Sequence, residues 1–189
     1  MRPSMRQLAA IVTGSLVFAS SWPAAAWEMA GTREVALQTR DGRAIPSGSI
    51  TFVPQGERIG FSLHLAHDRF KDYFLSMKEF KCLDGGDEIQ CHVPYPYANP
   101  ATVTADDLAW LEHALLFLYK LPTEFGASLW NGLYYRMAIT EDGIVGTPEA
   151  IDLNLISAPP ADGSVAPYGA MERTEIAPGS RWIRALTIR

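Results

Sequence analysis

Turn signals of the Asp-Gly type recur at short intervals along this chain. The segments between them are rich in β-branched and aromatic residues, a pattern that points to antiparallel β structure. Asp41-Gly42 follows residues 33–40, Gln55-Gly56 separates 49–54 from 58–65, and Glu141-Asp142-Gly143 separates 133–140 from 144–156. Asp and Gly tolerate the positive φ that tight hairpin turns demand, so each reads as a hairpin. In 58–65 the alternation is explicit: Phe61, Leu63 and Leu65 share one face while Ser62 and His64 share the other, which makes a strand with one wet side. Residues 73–83 read as a long strand bending near Lys78-Glu79, and 182–188 as a closing strand. The fold class expected is mainly β, an antiparallel barrel or strongly curved sheet of about eight strands.

Cys82 and Cys91 flank the turn-forming run Asp84-Gly85-Gly86-Asp87-Glu88. If Cys82 lies opposite Cys91 and Asp84 opposite Ile89, the hairpin loop is 85–88, and a disulfide between the cysteines staples its two strands. Metal and redox pairs favour the tighter CxxC spacing, whereas eight residues intervene here.

The segment 104–119 departs from the β pattern and reads as a helix capping the sheet. Thr104 is a good N-cap, acids fill the first turn, and Leu108, Leu111, Leu115 and Leu118 form an apolar stripe. Trp110, Leu116, Phe117 and Tyr119 widen that stripe until the last two turns are apolar nearly all round, so this helix must be covered on more than one side. Residues 158–180 carry Pro159, Pro160, Gly163, Pro167, Gly169, Pro178 and Gly179 without periodicity, and read as one long loop, a lid or a poorly ordered segment.

Residues 1–26 read as a secretory signal peptide. Arg2 and Arg6 precede an apolar run over 8–19, and Ala24-Ala25-Ala26 offers a cleavage site. The apolar run is too short for the ~18 to 20 residues that span a bilayer, so removal and no stable membrane anchor are expected. The mature chain, 27–189, is then a single exported β-rich domain of 163 residues, periplasmic or extracellular. Disulfides persist in such compartments. Removing two arginines leaves 14 Lys plus Arg against 21 Asp plus Glu, a formal charge of −7. With no basic stripe to follow a phosphate backbone, nucleic acid is not an expected partner.

The residues that carry chemistry elsewhere form no catalytic signature here. His64 and His67, three apart on a strand, point to opposite faces, and neither HEXXH nor GxSxG occurs; no metal and no cofactor is expected. The carboxylate pairs Asp84/Asp87, Asp106/Asp107 and Glu141/Asp142 sit in turns or at the helix start, where acids serve structure. Aromatic residues remain. Tyr95 and Tyr97 lie in Pro94-Tyr95-Pro96-Tyr97, a connection stiffened by its prolines, and Trp130, Asn131, Tyr134 and Tyr135 cluster at a strand start. Rigid tyrosines with polar tips suit binding surfaces, the alternative being that these rings fill the core under the helix. Tyr95, Tyr97, Trp130 and Tyr134 are therefore the candidate binding residues of a non-enzymatic binding or inhibitor module whose partner is a small molecule or a protein. The competing class is a hydrolase using a histidine and a carboxylate, with His64, His92 and His113 as candidate bases. Convergence of a histidine with a carboxylate in one pocket would separate the two.

Overall fold

The computed structural model describes residues 27–189; residues 1–26, and with them the expected signal peptide, lie outside the described residues. The hairpins form where the turn chemistry places them. Strand β1 (Gly31–Thr39) pairs with β2 (Ala44–Gln55) across Asp41-Gly42, and β2 pairs with β3 (Arg58–Leu65) across Gly56. Strand β9 (Gly132–Thr140) turns through Glu141-Asp142 into β10 (Gly143–Ile151). The Cys82–Cys91 disulfide is present and joins β5 (Lys81–Asp84) to β6 (Ile89–Val93), with Cys82 opposite Cys91 and Asp84 opposite Ile89.

Three elements differ from expectation. The helix α1 covers only Ala109–Ala114, and Leu116–Lys120 is strand β8, paired with β6 and β9. Thr104 does accept a bond from the Asp107 N–H at 3.1 Å, but that turn stands one step ahead of the helix, whose first N–H, on Ala109, is held by the Asp107 carboxylate. The run 73–83 is not one strand: β4 (Lys71–Asp72) and β5 are separated by an irregular stretch that tucks Phe74 and Phe80 edge to face, 6.0 Å apart. The 158–180 segment contains β11 (Arg173–Glu175), paired with β10, and buries Tyr168.

With β7 (Thr102–Val103) and β12 (Ile183–Ile188), all twelve strands join one antiparallel sheet in the order β4-β5-β6-β8-β9-β10-β12-β1-β2-β3-β7, with β11 beside β10. The path has two ends, so this is a strongly curved open sheet and not a closed barrel. The curvature follows from α1. Six inter-strand steps separate β9 from β7, roughly 29 Å in a flat sheet, yet both strands pack on α1, which is about 9 Å long. The sheet therefore curls until its β7 end meets the helix. At the opposite corner the β5–β6 turn reaches Trp182 ahead of β12, so closely that a Cβ on Gly85 would meet the indole at 2.3 Å.

One core fills the curl, with Val35, Leu37, Ile50, Phe52, Phe117 and Tyr135 among its members. A second lies on the outer side of β6, β8 and β9, where the disulfide, Leu116, Leu118 and Tyr134 meet Leu153, Ile156 and Tyr168. That second layer explains the misread helix: a strand covered on both faces reads as a continuous apolar run, which periodicity alone does not tell from a buried helix.

Candidate functional site

The candidate residues lie around the outer core. Val93 ends β6, and the prolines lead the chain over the surface with Tyr95 and Tyr97 half-buried, their rings 5.7 Å apart and edge to face. The Tyr97 hydroxyl donates to the Ile156 carbonyl at 3.2 Å. Tyr95 leans against Trp110 and His113, and its hydroxyl is buried with no partner among the described residues; burial pushes that phenol above its usual range. Trp130, in a 3-10 turn Leu129–Asn131, is 73% exposed. Tyr134 and Tyr135, on opposite faces of β9, are both buried, so Tyr134 is an interior residue. The structure thus brings Tyr95, Tyr97 and Tyr134 to one cluster with His113 and Tyr168 and leaves Trp130 in the solvent.

Each buried histidine is engaged by the backbone. Nδ1–H of His113 donates to the Ala109 carbonyl at 2.6 Å, and Nε2 accepts the Tyr168 N–H at 3.1 Å, so both ring nitrogens are occupied and the ring is neutral. Tyr168 stacks on it at 5.5 Å, and burial depresses the pKa of His113. Nε2–H of His92 donates to the Ala114 carbonyl at 3.0 Å, and burial lowers its pKa to about 4. His64 and His67 are exposed, on β3 and in the 3-10 turn His67–Arg69. Among the described residues no three His, Cys, Asp or Glu side chains converge.

The carboxylate that sequence reasoning missed is Glu112. It sits on the inner side of α1, its Oε1 accepting the Met137 N–H at 2.6 Å and its Oε2 the Tyr134 hydroxyl. Burial raises its pKa, opposed by those two bonds and by Arg173. The Arg173 guanidinium lies 4.8 Å over the Tyr134 ring and pairs with Glu149, which also binds Arg136 at 2.7 Å. A cavity of about 300 Å³ opens beside Glu112, Tyr134, Arg136 and Arg173. One signal was available: Glu112, four residues after Leu108, interrupts the apolar stripe of the helix, and a charge on the inward side of a helix is an exception worth locating.

A second opening is of another character. The chain leaving β6 through Pro94 and Pro96 forms one wall, Phe80 the floor, and Leu129 with Leu153 and Ile156 the far wall of a cleft of about 290 Å³. Its lining is apolar apart from Glu79 and Ser157. The 3-10 turns Leu129–Asn131 and Leu153–Ile156 pack on each other, with Trp130 and Leu155 (52% exposed) projecting from them. No sequence signal announces this cleft, because its walls come from segments far apart in the chain. Among known proteins no family model matches the chain, and neither a curated protein nor a solved structure is similar to it.

Proposed function

We propose that the protein is an exported, non-enzymatic binding module that holds the apolar end of a small molecule in the cleft between Pro94-Pro96 and Leu153–Ile156. One observation carries this reading. The cleft is walled by apolar side chains and adjoins two solvent-exposed ones, Trp130 and Leu155, on the turns that build it. Exposing such groups costs roughly 25 cal/mol per Å² of apolar surface, and a ligand that covers them recovers that free energy. The prolines lower the entropy cost of holding the wall open. Its size suits an alkyl segment or one aromatic ring, with the Ser157 hydroxyl and Glu79 at the rim able to meet a polar headgroup.

The hydrolase alternative has less to stand on, because His92 and His113 are bonded to backbone groups and neither meets a carboxylate. Glu112 could replace them only by giving up one of its two bonds.

Octanol serves as a neutral apolar probe, read by the fluorescence of Trp130 with Trp130→Phe as the control. Saturable quenching that weakens at least tenfold in Leu129→Glu is expected. No saturable signal would overturn the reading. Intact mass of the exported protein tests the other half of the proposal, a chain beginning at Trp27.

A further inference from the structure

Away from the cleft, the sheet makes a second pocket at a topological fork. Strand β10 pairs with β12 only from Ile144 to Gly146; beyond Thr147 it parts from β12 and takes β11 as its partner. Pro148, which has no N–H to offer, stands at the parting. The loop from Ile176 returns across the fork, turning at Gly179 with φ +76° and a bond from the Ser180 N–H to the Ala177 carbonyl at 3.1 Å. The fork, this loop and the β1–β2 turn, which is tied to it by the Arg40 N–H donating to the Trp182 carbonyl at 2.7 Å, enclose about 330 Å³.

The charge of this pocket runs against that of the chain. Its ionisable lining is Arg40, Arg181 and Arg184, with no carboxylate, in a protein whose formal charge is −5. Arg181 is partly committed: its guanidinium lies 3.7 Å over the Tyr119 ring, and its Nη1 faces the buried Glu88 carboxylate at 3.2 Å. Arg40 and Arg184 are exposed and form no ion pair among the described residues. Asp41, the acid next to Arg40, is spent on Thr39 and Arg43. Two arginines without an ion pair among the described residues, and a third stacked on an aromatic ring, thus line one concavity together with Thr147. The rest of the lining, Pro148, Ile176, Ala177 and Pro178, is apolar.

We propose that this pocket binds an organic phosphate, a phosphate ester whose oxyanion is held by Arg40, Arg181 and Arg184 and whose carbon skeleton lies on Pro148, Ile176 and Pro178. Guanidinium groups pair bidentately with oxyanions. A carboxylate offers two oxygens, enough for one fork, whereas a phosphate offers three outward oxygens on a tetrahedral frame and can engage more than one fork, here from the β1–β2 turn and from the segment 181–184. The volume exceeds what inorganic phosphate fills, and the apolar wall has no use unless the anion carries a skeleton. This site does not depend on the apolar cleft, and either can fail without the other.

Calorimetric titration with phenyl phosphate, inorganic phosphate and benzoate tests the proposal on the mature chain. Phenyl phosphate is expected to bind at least tenfold more tightly than either of the others, with affinity falling as salt rises. The double variant Arg40→Gln, Arg184→Gln should lose more than tenfold in affinity while keeping the wild-type melting temperature. Arg184→Lys, which keeps the charge and loses the fork, should fall between wild type and the double variant. Cosedimentation with phosphatidate vesicles, absent with phosphatidylcholine vesicles and lost in the double variant, would assign the ester to a lipid headgroup; binding of phenyl phosphate without vesicle binding would assign it to a soluble molecule. The proposal is overturned if wild type takes up no phosphate probe, if benzoate binds as tightly as phenyl phosphate, or if the double variant binds unchanged.

Discussion

Strands β2 and β3 turn one side to the core and the other to solvent, so that along β3 Leu65 is buried while Ser62 and His64 are exposed. In β6 every residue from Ile89 to Val93 is buried, and β8 differs only at Tyr119. The two regions belong to one sheet and obey the same hydrogen-bonding rules; they differ in what covers them. On the first, alternation of residue type records the pleat. On the second, the inner face meets the core of the curl through Phe117 and the outer face meets Leu153, Ile156 and Tyr168, so alternation vanishes. Such a strand is held by two cores at once, and substitutions there should cost more than in a strand with one wet side.

The largest test is Phe117→Ala, which removes a ring that touches both Tyr135 and His92. Denaturant unfolding should show a loss of about 3 to 5 kcal/mol, from transfer energy and the cavity left behind. A loss below about 1 kcal/mol would mean that β8 is not sandwiched, and the contrast would break.

Next comes the staple at the edge of the doubly covered region. Replacing Cys82 and Cys91 together with Ser frees a loop of nine-residue separation, and in the chain-entropy model destabilises by about 2.5 to 3 kcal/mol. The far-ultraviolet spectrum should persist, since the β5–β6 turn is closed in any case by the Gly85 N–H on the Glu88 carbonyl. Loss of all β signal would show instead that this edge organises the sheet.

Burial on both sides also leaves a mark on pH dependence. The folded-state pKa of His92, about 4, lies below its ordinary value of 6.5, so the unfolded chain binds more protons between those limits. The stability this contributes is complete above pH 6.5 and is lost as pH falls towards 4, by about 2 kcal/mol at pH 5. His113 is shifted in the same direction, so the wild-type profile sums both. His92→Gln, which keeps a donor for the Ala114 carbonyl, should flatten the acid limb in part. An unchanged limb would place the effect elsewhere. Glu112 carries the opposite sign: its raised pKa means that stability falls as pH rises beyond the ordinary carboxylate range.

The smallest effect is expected on the wet side. Ser62→Ala and His64→Ala on β3 should each stay within about 0.5 kcal/mol of wild type, as exposed positions free of special roles do. A larger cost at His64 would show that the outer side of β3 is covered in solution, and the two regions would then be alike.

The aromatic candidates divide in the same way. Tyr95 and Tyr97, each preceded by a proline, are half-buried against the outer core, with the Tyr97 hydroxyl bonded and the Tyr95 hydroxyl buried. The adjacent pair Tyr134 and Tyr135 was not separable by pattern, because on a doubly covered strand both faces are interior. Glu112 left a local trace, a charge in the apolar stripe of the helix, but its partners Tyr134 and Met137, like the walls of the cleft and of the arginine pocket, come from segments distant in the chain and stayed illegible.

What the chain determined by itself is local. Asp-Gly chemistry fixed the positions of the hairpins, and the spacing of Cys82 and Cys91 about a four-residue loop fixed their register, since turn conformations depend on a few neighbouring φ and ψ values. Tertiary structure decided the rest. Leu116–Lys120 became a strand because β6 and β9 offered it hydrogen bonds on both sides, which outweighs the weak helical preference of its residues. The path of the sheet ends at β4 and at β7, and α1 packs against both β7 and β9; coverage of that kind is a property of packing that no short stretch of sequence records.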